Sequence, residues 1–317
     1  MAHVFLKQCK FFTAKAIDIF IGLACSVGLY QTNRTILPLR SGSKILLIAL
    51  DRLGDTVMGT PVVEVLKSAL PQAKVTVLTR PPNGDVFREN PYLNDLLLDD
   101  SPWWSGSPVY YSLRPSYWKA YLRKLRVLRI TQYDVIIDLR GDLRHLLLFG
   151  AAARPRYLLG YGRTGGEDLL SAIVRYDSNM HEIDKKLVLL SPLGITGIRP
   201  SPKIWLLPEE IAKARQVVTQ LIGNVHSPII LIDPGAKPIQ RWPLERYARL
   251  AVRLRDRFQQ PVLVSAGSLY SPLAEELVSG AGEDSARFVG NIGLRDLVAL
   301  VAACNLVISS EDRKSVV

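Results

Sequence analysis

Two loops hold residue types able to move a proton and to hold an anion. The first is Arg52-Leu53-Gly54-Asp55-Thr56, which follows the apolar run Lys44 to Leu50. Asp55 has two readings there. It can cap the helix that follows, or act as a general base that takes a proton from a hydroxyl. Gly54 permits a tight turn and a close backbone approach. The second loop runs Asp233-Pro234-Gly235-Ala236-Lys237-Pro238-Ile239-Gln240-Arg241-Trp242-Pro243. A strand opening into a glycine turn, then basic residues, then a helix start can cradle phosphate. Backbone N–H groups and the helix dipole favour anions there, and Arg241 can clamp a diphosphate through two parallel bonds. An ordinary strand-to-helix turn with Trp242 as a packing anchor fits the same residues. A third loop, Arg140-Gly141-Asp142, follows the apolar run Asp134 to Leu139.

Other chemistries lack their residues. No G-x-G-x-x-G follows the first strand, and no G-x-x-x-x-G-K-[ST] occurs anywhere, so the standard dinucleotide and P-loop readings lose support. His145 and His181 stand singly near expected helices, as packing or capping residues. With no pair at metal-ligand spacing, no metal is expected. Cys9, Cys25 and Cys304 are odd in number and far apart, which argues against a disulfide framework or zinc site and fits a reducing cytosol. The net charge of +11 suits an anionic partner, namely a nucleotide, a phosphorylated substrate or an acidic membrane surface. A solvated basic surface is the less favoured alternative. The bases are scattered, without a nucleic-acid signature, so no nucleic-acid partner is expected.

The elements that must position these loops follow one grammar. Lys44 to Leu50 reads as a buried parallel strand, Thr56 to Leu70 as a helix, and Lys74 to Thr79 as a second strand. Pro81 to Pro115 reads mostly as loop, Trp118 to Arg129 as a basic amphipathic helix, Asp134 to Leu139 as a strand and His181 to Leu190 as a helix. A second series follows: helix Glu209 to Gly223, strand Ile229 to Asp233, helix Pro243 to Phe258, strand Pro261 to Ser265, helix Pro272 to Ser279, helix Leu294 to Cys304 and strand Leu306 to Ser309. The expected domains are 44–200 and 201–317, each α/β and doubly wound. Ligands in such sheets sit outside the carboxyl ends of the strands, where the three loops lie. Residues 1–43 precede them. Lys15 and Asp18 interrupt the apolar stretch Phe11 to Tyr30, which therefore falls short of the ~20 apolar residues of a spanning helix. It reads as an amphipathic helix, lying on the inner membrane face or packed on the first domain.

In this order, the pieces resemble glycosyltransferase family 9, the ADP-heptose:lipopolysaccharide heptosyltransferase family. The resemblance rests on Arg52-Leu53-Gly54-Asp55 with Gly59-Thr60-Pro61, Tyr133 to Leu139, Gly160-Tyr161, His181 to Asp184 leading to Leu193-Gly194-Ile195, Pro234-Gly235-Ala236 with Arg241-Trp242-Pro243, Gly290, and Leu306 to Ser310. It implies a GT-B fold, two Rossmann-like domains facing a cleft, the first holding the acceptor and the second a nucleotide-sugar. It also implies that Asp55 is the catalytic base, with Arg52, Gly54 and Arg140 on the acceptor side. Gly235, Ala236, Lys237, Gln240, Arg241 and Glu311 would bind the donor. The activity implied is inverting, metal-independent transfer of heptose from ADP-heptose to the lipopolysaccharide inner core, with no cofactor. An anionic glycolipid acceptor and peripheral contact with the inner face of the membrane go with it. A family member using another nucleotide-sugar for another surface polysaccharide, or a non-catalytic nucleotide-binding module, is the alternative. Gln240 stands where the family often has Lys, and no acidic match appears around Gly267 to Pro272.

The last residues depart from the resemblance. The family continues into D-T-G-P-x-H, whereas this chain reads Glu311 and then Asp312-Arg313-Lys314-Ser315-Val316-Val317. GAT-CGG-AAG-AGC-GTC-GTG, one frame of a common sequencing adapter, translates to that hexapeptide. Asp312 to Val317 are expected to be adapter-encoded, the second domain truncated with an exposed sheet edge, and the chain as it stands inactive.

Overall fold

A computed structural model describes residues 34–36, 38–101, 115–223, 228–235, 241–266 and 271–310. The expected N-terminal helix lies outside them. The chain divides into two compact units, up to Ile204 and from Trp205 onward.

The first unit is a six-stranded sheet of β1 (Lys44–Ala49), β2 (Lys74–Thr79), β3 (Asp95–Leu98), β4 (Val135–Asp138), β5 (Tyr157–Gly160) and β6 (Ala172–Ile173), in the order β3-β2-β1-β4-β5-β6. Every neighbouring pair is parallel. A parallel strand covered on both faces is apolar along its length rather than alternating. Accordingly Ile45, Leu46, Leu47 and Ile48 of β1 are wholly buried.

Three expectations are corrected here. The helix expected over Thr56 to Leu70 is two helices, α1 (Leu53–Val57) and α2 (Thr60–Ala69). Pro61 has no N–H to continue the first helix, yet it fits the opening turn of a new one, with Gly59 as its N-cap. The stretch 81–115, read mostly as loop, holds α3 (Pro81–Phe87) and β3. The Pro81-Pro82 pair opens a helix at its first turn instead of marking a turn. The two short strands β5 and β6 were not expected at all.

Helix α4 (Pro115–Thr131) carries the chain from β3 back to β4, burying Tyr121, Leu125 and Leu128. After β4 come the short α5 (Leu143–His145), continued by a π turn over Leu146–Gly150, and later α6 (Glu182–Leu187), continued by a 3-10 turn over Val188–Leu193.

The second unit repeats the plan with α7 (Pro208–Ile222), β7 (Ile230–Asp233), α8 (Leu244–Phe258), β8 (Val262–Val264), α9 (Ser271–Ala281), β9 (Ala286–Phe288), α10 (Leu294–Ala303) and β10 (Leu306–Ser309). Its parallel sheet has the order β10-β7-β8-β9. Glu210, in the first turn of α7, accepts the backbone N–H of Leu207 (2.8 Å) and holds Arg295 of α10 (2.8 Å), tying the two helices together. Among the described residues, no helix is long and apolar enough to cross a membrane.

Candidate active site

In the first sheet the strand order reverses between β1 and β4, and the carboxyl ends flanking such a switch point form a crevice for ligands. Each of these strands delivers a buried aspartate there. Asp138 ends β4 and shapes the loop after it. Its Oδ2 accepts the backbone N–H groups of Gly141 (2.7 Å) and Asp142 (3.0 Å), and its Oδ1 bonds to Nδ1 of the buried His145 (2.9 Å). The Thr164 hydroxyl accepts from the Leu143 N–H at 2.8 Å. Burial works to raise the Asp142 carboxyl, but the Arg144 guanidinium outweighs it and holds the group at about 2.

Gly141 has φ +73°, and a Cβ there would stand 2.6 Å from Tyr161 Cβ and 2.9 Å from the Tyr161 carbonyl oxygen. Neither neighbour is a flexible side-chain tip. Gly141→Ala should therefore destabilise the first unit by about 2–4 kcal/mol, joining a left-handed penalty to overpacking. Chemical denaturation followed by fluorescence reads this, and a loss within experimental error would show that the loop can shift.

The loop so fixed presents Arg140. Its Nη1 donates to Asp51 Oδ1 at 2.8 Å, bridging the ends of β4 and β1. Lys186 of α6 reaches the other oxygen, Oδ2, at 3.1 Å, and also the Leu139 carbonyl at 3.4 Å. Asn83 Nδ2 donates to the Asp51 carbonyl oxygen and to the Thr56 hydroxyl, both at 2.8 Å. Burial would raise the Asp51 carboxyl, yet Lys186 and then Arg140 pull it below its ordinary value. Asp51 and Lys186 are nearly inaccessible, whereas 37% of the Arg140 side chain is exposed.

Asp55 lies in the first turn of α1, and the N-cap is Arg52, without a side-chain capping bond. The capping reading of Asp55 and the tight turn at Gly54 are therefore both corrected, because the chain enters helical conformation at Leu53. Arg52, Leu53 and Gly54 are exposed, Asp55 is half-buried, and its Oδ1 is a buried atom. The Thr56 hydroxyl returns to the Arg52 carbonyl at 3.0 Å.

The second unit offers its own strand-end loop. Asp233, at the end of β7, accepts the Gly235 N–H at 2.7 Å. Burial pushes its carboxyl up, against that bond. At the far end, the Trp242 N–H donates to the Ser310 hydroxyl at 2.9 Å, and that hydroxyl meets the Tyr247 hydroxyl at 2.5 Å. The Trp242 and Tyr247 rings meet edge to face at 5.0 Å. Arg241 is half-buried beside this latch. Ala236, Lys237, Gln240 and Glu311 lie outside the described residues. After β8, the buried Ser265 hydroxyl has no hydrogen-bond partner among the described residues.

The family model described as glycosyltransferase family 9 (heptosyltransferase) matches residues 121–312, more than half of the chain. The chain belongs to glycosyltransferase family 9. Lipopolysaccharide heptosyltransferase 3 from Escherichia coli K12 is 25% identical over 219 residues, 68% of this chain and 61% of that protein. The chain thus matches less than two thirds of that relative's length. A family 9 glycosyltransferase from Veillonella parvula superposes with a TM-score of 0.72 at 20% identity, covering 86% of this chain and 76% of that one. The E. coli ADP-heptose lipopolysaccharide heptosyltransferase II gives 0.68 at 19%, covering 85% and 79%. E. coli heptosyltransferase WaaC with ADP-2-deoxy-2-fluoro heptose gives 0.67 at 14%, covering 84% and 82%. These likenesses establish the GT-B-type α/β fold with parallel sheets.

In this family 9 chain, Asp51, Asp138, Lys186, Asn83 and Ser265 are site-edge residues that sequence reasoning missed. Asp51 and Asp138 left a local signal, a carboxylate at the end of an aliphatic run. His181 caps α6, accepting the Ile183 N–H at 3.3 Å, and His145 packs on Asp138. Among the described residues no group of three or more His, Cys, Asp and Glu side chains could hold a metal ion.

Proposed function

We propose that this chain transfers a heptose from ADP-heptose to the lipopolysaccharide inner core, with inversion and without a metal. The observation carrying this reading is the half-buried Asp55 in the first turn after β1, at the switch point of a family 9 sheet. Asp55 takes the proton of the acceptor hydroxyl. The freed oxygen attacks the anomeric carbon from the face opposite the leaving group. The bond from that carbon to the diphosphate oxygen breaks, and ADP leaves with the electron pair. Arg140, together with the exposed Arg52, meets the anionic groups of the acceptor. Arg241 and the backbone of Gly235 and Ala236, with Lys237, Gln240 and Glu311, hold the diphosphate as its charge develops. The first domain, 44–200, holds the acceptor, and the second, 201–317, the donor. The names of two relatives support this donor: one is called an ADP-heptose heptosyltransferase, and the other is described with ADP-2-deoxy-2-fluoro heptose.

The test is nucleoside diphosphate release by the protein, with an anionic inner-core glycolipid as acceptor. ADP-heptose should give acceptor-dependent release. UDP-sugars should give less by about a hundredfold or more, the discrimination expected when a polar site loses its matched partner. A chelator should leave the rate unchanged. Equal release from a UDP-sugar would overturn the donor assignment, and loss with the chelator would overturn the metal-free mechanism.

A further inference from the structure

Helix α8 presents a row of cations that the proposed reaction does not use. Successive residues turn by ~100°, which sets Arg246, Arg249, Arg253 and Arg257 within ~80° of one another, opposite the buried Tyr247, Ala248 and Ala251. All four arginines are exposed. The row runs ~17 Å along the helix at 1.5 Å per residue. The helix's own carboxylates, Glu245 and Asp256, turn to one flank, and Asp256 pairs with Arg255 at 3.2 Å. Helix α9 lies beside α8 on the same face of the sheet. Tyr247 and Ala251 of α8 share one core with Ala274 and Leu277 of α9, and a Cβ on Gly280 would stand 3.4 Å from that of Ala248. The outward side of α9 carries Glu275 and Glu276, and Asp284 follows it before β9, all three exposed. Among the described residues, none of these four arginines and three carboxylates enters an ion pair.

Arginines three and four apart on a helix repel one another, and a helix meant only for water gains by mixing signs. Every cation of α8 is moreover an arginine. Arginine is enriched at protein interfaces where lysine is depleted, and its fork matches a carboxylate through two parallel bonds. The row therefore fits carboxylates held in a fixed array, and the neighbouring helix carries such an array on the same face. A surface that bears both halves of a match side by side is self-complementary, as a two-fold interface requires. A two-fold axis normal to this helix layer lays α8 of one chain along α9 of the other, and the reverse contact forms at the same time.

We propose that the α8–α9 face joins two copies of this chain, the arginine row of each meeting Glu275, Glu276 and Asp284 of the partner subunit. The proposal does not rest on the reaction above, because association is read with neither donor nor acceptor present.

The experiment is sedimentation velocity of the full chain at concentrations up to about 100 μM, which reaches weak contacts. The wild type should dimerise in low salt and dissociate in about 0.5 M salt, where screening is strong. Arg249→Glu/Arg253→Glu and Glu275→Arg/Glu276→Arg should each weaken dimerisation by about a hundredfold or more. Each reversal occurs twice across a two-fold interface and sets like charges together. Melting curves of both variants should match the wild type, which separates lost association from lost folding. An equimolar mixture of the two variants should dimerise again, since each supplies the charge that the other lacks. A wild type that stays monomeric, or a dimer indifferent to salt, would overturn the proposal. So would a dimer that persists in either variant, or a mixture that stays monomeric.

Discussion

Asp55→Asn should lower the rate of sugar transfer by about two to four orders of magnitude, the range for losing a positioned general base. That loss corresponds to about 3–5 kcal/mol of barrier. Asparagine keeps the size and shape of the side chain but cannot take the proton. Arg52 occupies the N-cap of α1 and Asp55 sits within the first turn, so Asp55 is not the N-cap residue. Calorimetry should find ADP binding unchanged within about twofold, since a group acting only in the transition state does not contribute to ground-state affinity. The two measurements separate the assignments. An unchanged rate removes Asp55 from the chemistry. A rate and an affinity that fall together make Asp55 a binding or folding residue instead.

The parts of this molecule legible in the sequence are those whose physics is local. Strands β1, β2, β4 and β7 announce themselves because a doubly covered parallel strand is aliphatic along most of its length, whereas β10 is aliphatic but exposed at the sheet edge. The loops after them follow from the rule that ligands sit at carboxyl ends. Helix α3 was hidden by its composition: prolines, Asn83 and Gly84 read as a turn, yet the prolines occupy the first turn and Asn83 is buried, bonding back to Asp51 and Thr56. The step at Gly59 was hidden because Pro61 is compatible with both a continuing and a restarting helix. Strand β6 has two residues, too few for any period to show.

The site divides along the same line. Asp55, Arg140 and Arg241 stand in segments that follow aliphatic strands, so reading along the chain singles them out as candidates. The groups that hold those loops in place lie far away in sequence, with 135 positions between Asp51 and Lys186 and 68 between Trp242 and Ser310. The Lys185-Lys186 pair looks like the ordinary basic end of a helix, yet both residues are buried. Nothing local distinguishes a lysine on a solvated face from one that crosses the core to an aspartate.

Asp51→Ala should be the most damaging single substitution in the first unit, at about 3–5 kcal/mol, the loss typical of breaking a buried ion pair from one side. The Asp51 and Lys186 side chains are 6% and 4% exposed and lie 3.1 Å apart. Without Asp51, the Lys186 ammonium keeps, among the described residues, only the Leu139 carbonyl at 3.4 Å, beside an Arg140 that has lost the same partner. Arg140 adds less, because its open side chain is screened by water. Asp51→Ala/Lys186→Met should recover much of the loss, since removing both charges also removes the desolvation cost of each. Acidity gives an independent reading. Because Asp51 titrates below its ordinary 3.8 in the folded chain, the unfolded chain takes up that proton first. The pair's contribution is then complete above that value and fades as the pH falls through the lower, folded one. Urea unfolding should therefore show the gap between wild type and Asp51→Ala narrowing only in strong acid. If the double variant is as unstable as Asp51→Ala, the cost lies in lost packing and not in a stranded ammonium. In either case Arg140 loses the partner that aims it, so acceptor KM should rise more than kcat falls, which would mark Asp51 as a positioning residue for the cation proposed to meet the acceptor.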